Sequence, residues 1–96
     1  MNFGEAVKAL KEGKMVQREG WNGKGMFVFM QVPAVIGIDI IPCMQSLPQL
    51  VKDEFVDRGE KISYFNQMAI VNIDNCINGW APSVSDALAE DWKIFN

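Results

Sequence analysis

Ninety-six residues are enough for one small domain with a modest core. Hydrophobic side chains make up 49% of the chain, at the upper end for a soluble domain, so part of that apolar surface is expected to be buried between subunits. The formal net charge of −3 repels a phosphate polymer, which excludes DNA and RNA as expected partners.

The charge is unevenly spread. Residues 1–25 carry five basic groups (Lys8, Lys11, Lys14, Arg18, Lys24) against three acidic ones (Glu5, Glu12, Glu19). A small anion held by local charge is therefore compatible with the chain. No apolar run reaches the roughly 18 residues of a membrane span, and the opening residues lack a signal-peptide core. A soluble protein of the cytoplasm, with no membrane partner, is expected. The chain has no histidine, and Cys43 and Cys76 have no CxxC partner. No metal, no cofactor and two buried free thiols are expected.

In chain order, Asn2 and Glu5 have the spacing of a capping box, and Phe3, Ala6, Val7 and Leu10 share one helical stripe. Gly13 sits where a glycine stop belongs, so the first helix is expected from Phe3 to Glu12. Lys14 to Glu19 reads as a strand, Gly20 to Gly25 as a loop with a tight Asn22-Gly23 turn, and Met26 to Val32 as a strand apolar on both faces. Ala34 to Ile41 reads as a further strand, with Asp39 at an edge facing water. Ser46 is the expected cap of a middle helix. That helix has Pro48 in its first turn, Leu47, Leu50, Val51 and Phe55 as its apolar side, Lys52, Asp53, Asp57 and Arg58 as its solvated side, and Gly59 as its stop.

Strands follow at Lys61 to Phe65 and Met68 to Ile73, with a bend at Asn66-Gln67. Asp74-Asn75 suits a hairpin turn into Cys76 to Trp80. Ser83 and Asp86 have the spacing of a helix cap, Val84, Ala87 and Leu88 form the expected buried stripe, and Trp92 to Phe95 closes the chain as a strand. The fold class is α+β: a small antiparallel sheet with an N-terminal, a middle and a short C-terminal helix, in a single ligand-binding domain over residues 1–96.

An enzyme is not expected. Ser83 or Ser85 as nucleophile lacks a histidine base, and no Ser-x-x-Lys spacing supplies a lysine. Of the carboxylates that could do acid–base work, Asp86, Glu90 and Asp91, Asp86 is explained by its helix N-terminus, and Arg18 either faces a ligand or pairs with Glu19 or Asp91. Gly20, Gly23 and Gly25 do not match a phosphate loop. A binder fits better. Trp21 and Trp80 each lie at a turn, where an indole stays open to stacking worth roughly 1–3 kcal/mol per base. Arg18 and Lys24 flank Trp21 and can reach phosphates, while Asn22, Asn75, Ser83 and Asp86 can read hydroxyls and ring nitrogens. Trp92, between helix and strand, is expected in the core.

The opening Asn-Phe-Gly-Glu-Ala, the segment Arg18-Glu-Gly-Trp-Asn-Gly-Lys-Gly25, and the segment Gly79-Trp-Ala-Pro-Ser83 with Asp86-Ala-Leu-Ala-Glu-Asp-Trp92 carry a resemblance. The chain resembles, end to end, the phage and bacterial family formerly known only as a domain of unknown function, which contains the second type of Thoeris anti-defence protein. The resemblance implies a sponge: a homotetramer that binds glycocyclic ADP-ribose, the signal of the Thoeris TIR enzyme, between subunits without cleaving it. In some relatives cyclic dinucleotides bind at separate sites. On this footing Trp21 and Trp80 are expected to sandwich or edge the adenine. Arg18 or Lys24 should meet the pyrophosphate, and Asp86, with Asn75 or Ser83, the ribose hydroxyls. The competing readings are a small interaction module that blocks a host protein, motivated by the apolar strand faces, and an enzyme that degrades a signalling nucleotide.

Overall fold

The first helix forms where its cap dictates. Asn2 Oδ1 accepts from the Glu5 amide at 2.8 Å, and Glu5 Oε1 accepts from the Asn2 amide at 3.0 Å, so the capping box satisfies two amide donors at once. Helix α1 runs Phe3–Lys11 and is followed by Gly13 at φ +85°, the left-handed stop that favours glycine. Ala6, Ala9 and Leu10 are buried against the sheet, with Phe3 packed at the edge of the same cluster.

The computed structural model describes residues 1–21 and 25–96. The expected Asn22-Gly23 turn, and the site residues Asn22 and Lys24, lie outside the described residues. Contacts divide the chain into two units, Met1–Gln31 with Asn66–Asn96, and Val32–Phe65.

The first unit is a five-stranded antiparallel sheet in the order β6-β5-β2-β1-β7, built from β1 (Val16–Arg18), β2 (Phe27–Gln31), β5 (Gln67–Val71), β6 (Ile77–Gly79) and β7 (Trp92–Ile94). Cross-strand pairs set which side chains share a face: Val16 lies opposite Val28 and Ile94, and Val28 opposite Ile70. These residues, with Trp92, meet α1. The alternate positions, including Gln17, Phe27, Phe29, Lys93 and Phe95, take the other face, where Phe27 and Phe95 stack at 4.8 Å. The β5–β6 hairpin turns at Asp74-Asn75 as expected, with Asn75 at φ +64°. Gln67, expected in a bend, instead opens β5 and donates from Nε2 to Gln31 Oε1 at 2.8 Å across the sheet.

Helix α3 (Val84–Leu88) is capped by Ser83 and Asp86 as expected, but its expected buried stripe is on the outside. Val84 and Leu88 are 78% and 77% exposed. The reason is polar: Asp86 is turned inward to pair with Arg18, and that rotation sends positions 84, 87 and 88 to the opposite face. Trp92, 2% exposed, is a core residue as expected.

The second unit has a two-stranded ladder, β3 (Ala34–Ile36) on β4 (Ile62–Tyr64), a short 3₁₀ turn (Ile41–Cys43) and helix α2 (Gln49–Arg58). The strand expected to reach Ile41 stops at Ile36, because the Gly37 carbonyl accepts from the amides of Ile40 at 3.0 Å and Ile41 at 3.2 Å and turns the chain. A Cβ on Gly37 would stand 2.8 Å from Asp39 Oδ1, so a larger residue there would displace the exposed Asp39 side chain. Asp39 faces water, in this turn rather than on a strand edge.

Ser46 does not cap α2. Pro48 occupies the cap position with no side-chain bond, which leaves Ser46 two residues too early. The stop at Gly59, φ +67°, is as expected. The expected apolar side is not a buried one: no α2 residue is buried, and Leu50 is 82% exposed. Lys52, expected to be solvated, instead reaches the Met44 carbonyl with Nζ at 2.9 Å and is half-buried. Cys43 and Cys76 are both exposed, against the expected buried thiols, since one lies in the 3₁₀ turn and the other in the hairpin loop. Among the described residues, no helix is long and apolar enough to cross a membrane.

Candidate functional site

Four aromatic rings meet where α1, β1 and β7 converge. Trp92 is at the centre, with Phe3 at 5.5 Å, Trp21 at 5.5 Å and Trp80 at 5.9 Å between ring centroids. Trp21 and Trp80 are 6.5 Å apart at 72°, edge to face. Both are half-buried, so each packs on the core through one part of its indole and shows another part outward. A base sandwiched between two rings needs parallel faces. Within one chain these two rings already touch at a steep angle, so an indole edge or an outer face is what each presents.

The polar half of the site is organised by Arg18 at the end of β1. Its Nη1 donates to Asp86 Oδ1 at 3.0 Å and its Nε to Asp91 Oδ1 at 2.9 Å. The side chains are 22%, 15% and 33% exposed for Arg18, Asp86 and Asp91, respectively. Each carboxylate has further duties. Asp86 Oδ2 accepts from the Ser83 amide at 3.0 Å, closing the cap of α3, and Asp91 Oδ2 accepts from the Gly20 amide at 3.1 Å. The Trp92 indole Nε1 donates to the Asp86 carbonyl at 2.9 Å, so the aromatic and ionic halves are joined.

These contacts set the protonation states. The Arg18 guanidinium holds the Asp91 carboxyl below the usual range, with help from the Gly20 amide. Burial pushes the Asp86 carboxyl up, but the Ser83 amide and Arg18 together outweigh it and the net shift is downward. Arg18 itself is raised by Asp91 first and Asp86 second. Both carboxylates are thus ionised and committed to one cation, which makes them weak bases near neutral pH.

Beside this cluster lies a concavity of about 260 Å³ lined by Gln17, Arg18, Glu19, Trp21, Gly25, Lys93 and Phe95. The alternation of β1 and β7 places Gln17 and Lys93 directly opposite one another on its floor.

The structure therefore brings Arg18, Trp21, Trp80, Ser83 and Asp86 into one neighbourhood. Asn75 is not part of it: its turn is at the far end of the β5–β6 hairpin from Trp80, which pairs with Met68. Sequence reasoning left out Asp91 as a site member, along with Gln17, Lys93 and Phe95. The strand period would have placed Lys93 and Phe95 opposite Trp92, but the pairing of Asp91 with Arg18, 73 positions away, leaves no local sequence signal.

The sequence profile of the Thoeris anti-defense 2-like domain matches residues 1–95. The chain is also 40% identical over 97 residues to a Bacillus phage SP01 protein, Thoeris anti-defense 2, an alignment covering 98% of this chain and 93% of that one. With a match of that extent, spanning both tryptophan segments and the Arg18 cluster, the chain belongs to the Thoeris anti-defense 2-like family, a family of anti-defence proteins.

Proposed function

We propose that this protein is an anti-defence sponge: it binds glycocyclic ADP-ribose, the Thoeris signal, and holds it uncleaved in the host cytoplasm so that the effector stays idle. The observation that carries this reading is Trp21, half-buried at the rim of a concavity, with polar and cationic groups on the same wall. The exposed part of the indole offers a stacking surface and Lys93 offers positive charge for a pyrophosphate, while Arg18, whose charge is shared with Asp86 and Asp91, offers its remaining N–H donors. Asn22 and Lys24 belong to the same segment and are proposed to complete it. Ser83 and Asp86, joined to Arg18 in the same cluster, are proposed to take ribose hydroxyls, and Trp80 to edge the adenine beside Trp21. Because Asp86 and Asp91 are tied to Arg18 as ionised acceptors, they suit holding a ligand better than transferring protons.

Size supports assembly. The concavity of about 260 Å³ falls below the roughly 300–1,000 Å³ of pockets that enclose a drug-sized ligand. A second copy would supply the missing wall. The exposed Val84 and Leu88 on α3 are apolar groups suited to such contact, and a homotetramer is the proposed form. Cyclic dinucleotides are a second ligand class, proposed at separate sites.

The test is recovery of the ligand. Purified protein is incubated with the TIR-made signal, freed of unbound material and heat-denatured. Release of intact glycocyclic ADP-ribose in stoichiometric amount supports the sponge. Empty protein overturns it. Turnover of ligand in excess over protein would show a degrading enzyme instead. The exposed apolar face of α3 also fits a module that seizes a host protein; in that case Trp21→Ala would leave partner capture unchanged.

A further inference from the structure

We propose that Asp91 is a positioning residue that holds the Trp21 turn in its ligand-ready shape before any ligand arrives. This rests on the reading that Trp21 meets the ligand. The turn Arg18-Glu19-Gly20-Trp21 closes with the Trp21 amide donating to the Arg18 carbonyl at 3.2 Å. Asp91 then fastens it from outside at two successive amides. Its backbone carbonyl accepts from Glu19 at 3.0 Å, and its Oδ2 accepts from Gly20 at 3.1 Å. Its other oxygen, Oδ1, is held by Arg18 Nε at 2.9 Å, so the clamp is itself braced.

The geometry is tight at one further point. A Cβ on Gly20 would stand 3.2 Å from Asp91 Oδ2, so glycine is what allows the carboxylate to approach the turn. Trp21 continues directly from this clamp into edge contact with Trp92. The side chain is therefore restrained at both its backbone and its ring. A ligand meeting a pre-set indole avoids the entropy of ordering it on binding.

The experiment uses the full chain labelled with 5-fluorotryptophan, whose three ¹⁹F resonances are assigned by single Trp→Phe variants. Asp91→Asn keeps the shape and removes the charge; Asp91→Glu restores charge at a different reach. Without ligand, Asp91→Asn should broaden the Trp21 resonance and shift it more than those of Trp80 and Trp92, whose rings touch it, and should speed exchange of the Gly20 amide by at least about tenfold. In calorimetric titration with glycocyclic ADP-ribose, it should bind about tenfold more weakly at unchanged stoichiometry, the effect of ordering a side chain only in the complex. Asp91→Glu should recover part of both effects.

An unmoved Trp21 resonance with an unchanged Gly20 amide overturns the proposal, whether or not the ligand binds. So does a moved resonance with unchanged affinity. Failure of the wild-type chain to bind the ligand would count instead against the sponge. If Asp91→Asn does not fold, Gly20→Ala keeps every charge and crowds the same contact, and it should displace the same resonance; no displacement overturns the proposal.

Discussion

Trp92→Phe tests the claim that one indole joins the aromatic and ionic halves of the site. Trp92 is 2% exposed and is the largest fully buried side chain. Phenylalanine keeps a ring in contact with Phe3, Trp21 and Trp80 but removes about 40 Å² of buried apolar surface, worth about 1 kcal/mol at ~25 cal/mol per Å². The incompletely filled space adds a penalty of about the same size. Loss of the indole donor strips the Asp86 carbonyl of its 2.9 Å partner, worth about 0.5–1.5 kcal/mol. The expected loss is about 2.5–3.5 kcal/mol, or a melting point lower by roughly 10–25 °C for a chain of this size. The assay is urea unfolding followed by near-UV circular dichroism, which reports the tryptophan cluster. A lower midpoint with an unchanged slope is expected. A loss under about 1 kcal/mol would refute the reasoning, because the buried area alone accounts for that much.

Other outcomes follow from the same contacts. Ser83→Ala removes the acceptor for the Asp86 amide and should cost about 1 kcal/mol in urea unfolding, with the effect seen first in exchange of the α3 amides. Asp86 and Asp91 have folded-state values below their unfolded ones, so their stabilisation is present above about pH 4 and lost as pH falls through the lowered values. Calorimetric scans should therefore show a level melting point from neutral pH to about pH 5 and a decline below about pH 4, which Arg18→Gln should flatten while lowering the neutral-pH value. Trp21→Ala should remove glycocyclic ADP-ribose binding in calorimetry while leaving assembly intact in native mass spectrometry. The double change Val84→Ser with Leu88→Gln, at positions 78% and 77% exposed, should alter unfolding of the single chain by under about 0.5 kcal/mol yet dissociate the proposed oligomer in light scattering.

Much of the fold was legible because its signals are local. Two capping boxes, the left-handed stops at Gly13 and Gly59, and the Asp74-Asn75 turn each depend on residues within a few positions of one another, where backbone geometry and side-chain reach are set by spacing alone. Trp92 as a core residue followed from its residue type and its place between helix and strand, and the strands of an antiparallel sheet from apolar patterning, though not their division into a five-stranded and a two-stranded sheet. The readings that failed were those in which a distant partner outweighs a local preference. The stripe of Val84, Ala87 and Leu88 has helical spacing, and spacing says which residues share a face but not which way that face turns; the ion pair from Arg18, on a strand 68 positions earlier, turned it outward. In the same way, a run of apolar residues from Ala34 reads as one strand until the Gly37 carbonyl folds it back.

The candidate site divides along the same line. Trp21 and Arg18 were marked out by residue type beside a glycine-rich turn. Asp91 was visible only as an acid–base candidate and as one of two possible partners of Arg18, because the choice between them is made only where β1 and β7 pair. Composition and spacing determined that this chain would be a small α+β protein without a histidine-based chemistry and with tryptophans at turns. Tertiary structure alone decided that Arg18 is shared between two carboxylates, that three indoles touch edge to face, and that Asn75 stands apart from them, since electrostatic and packing energies depend on distance in space and are indifferent to distance along the chain.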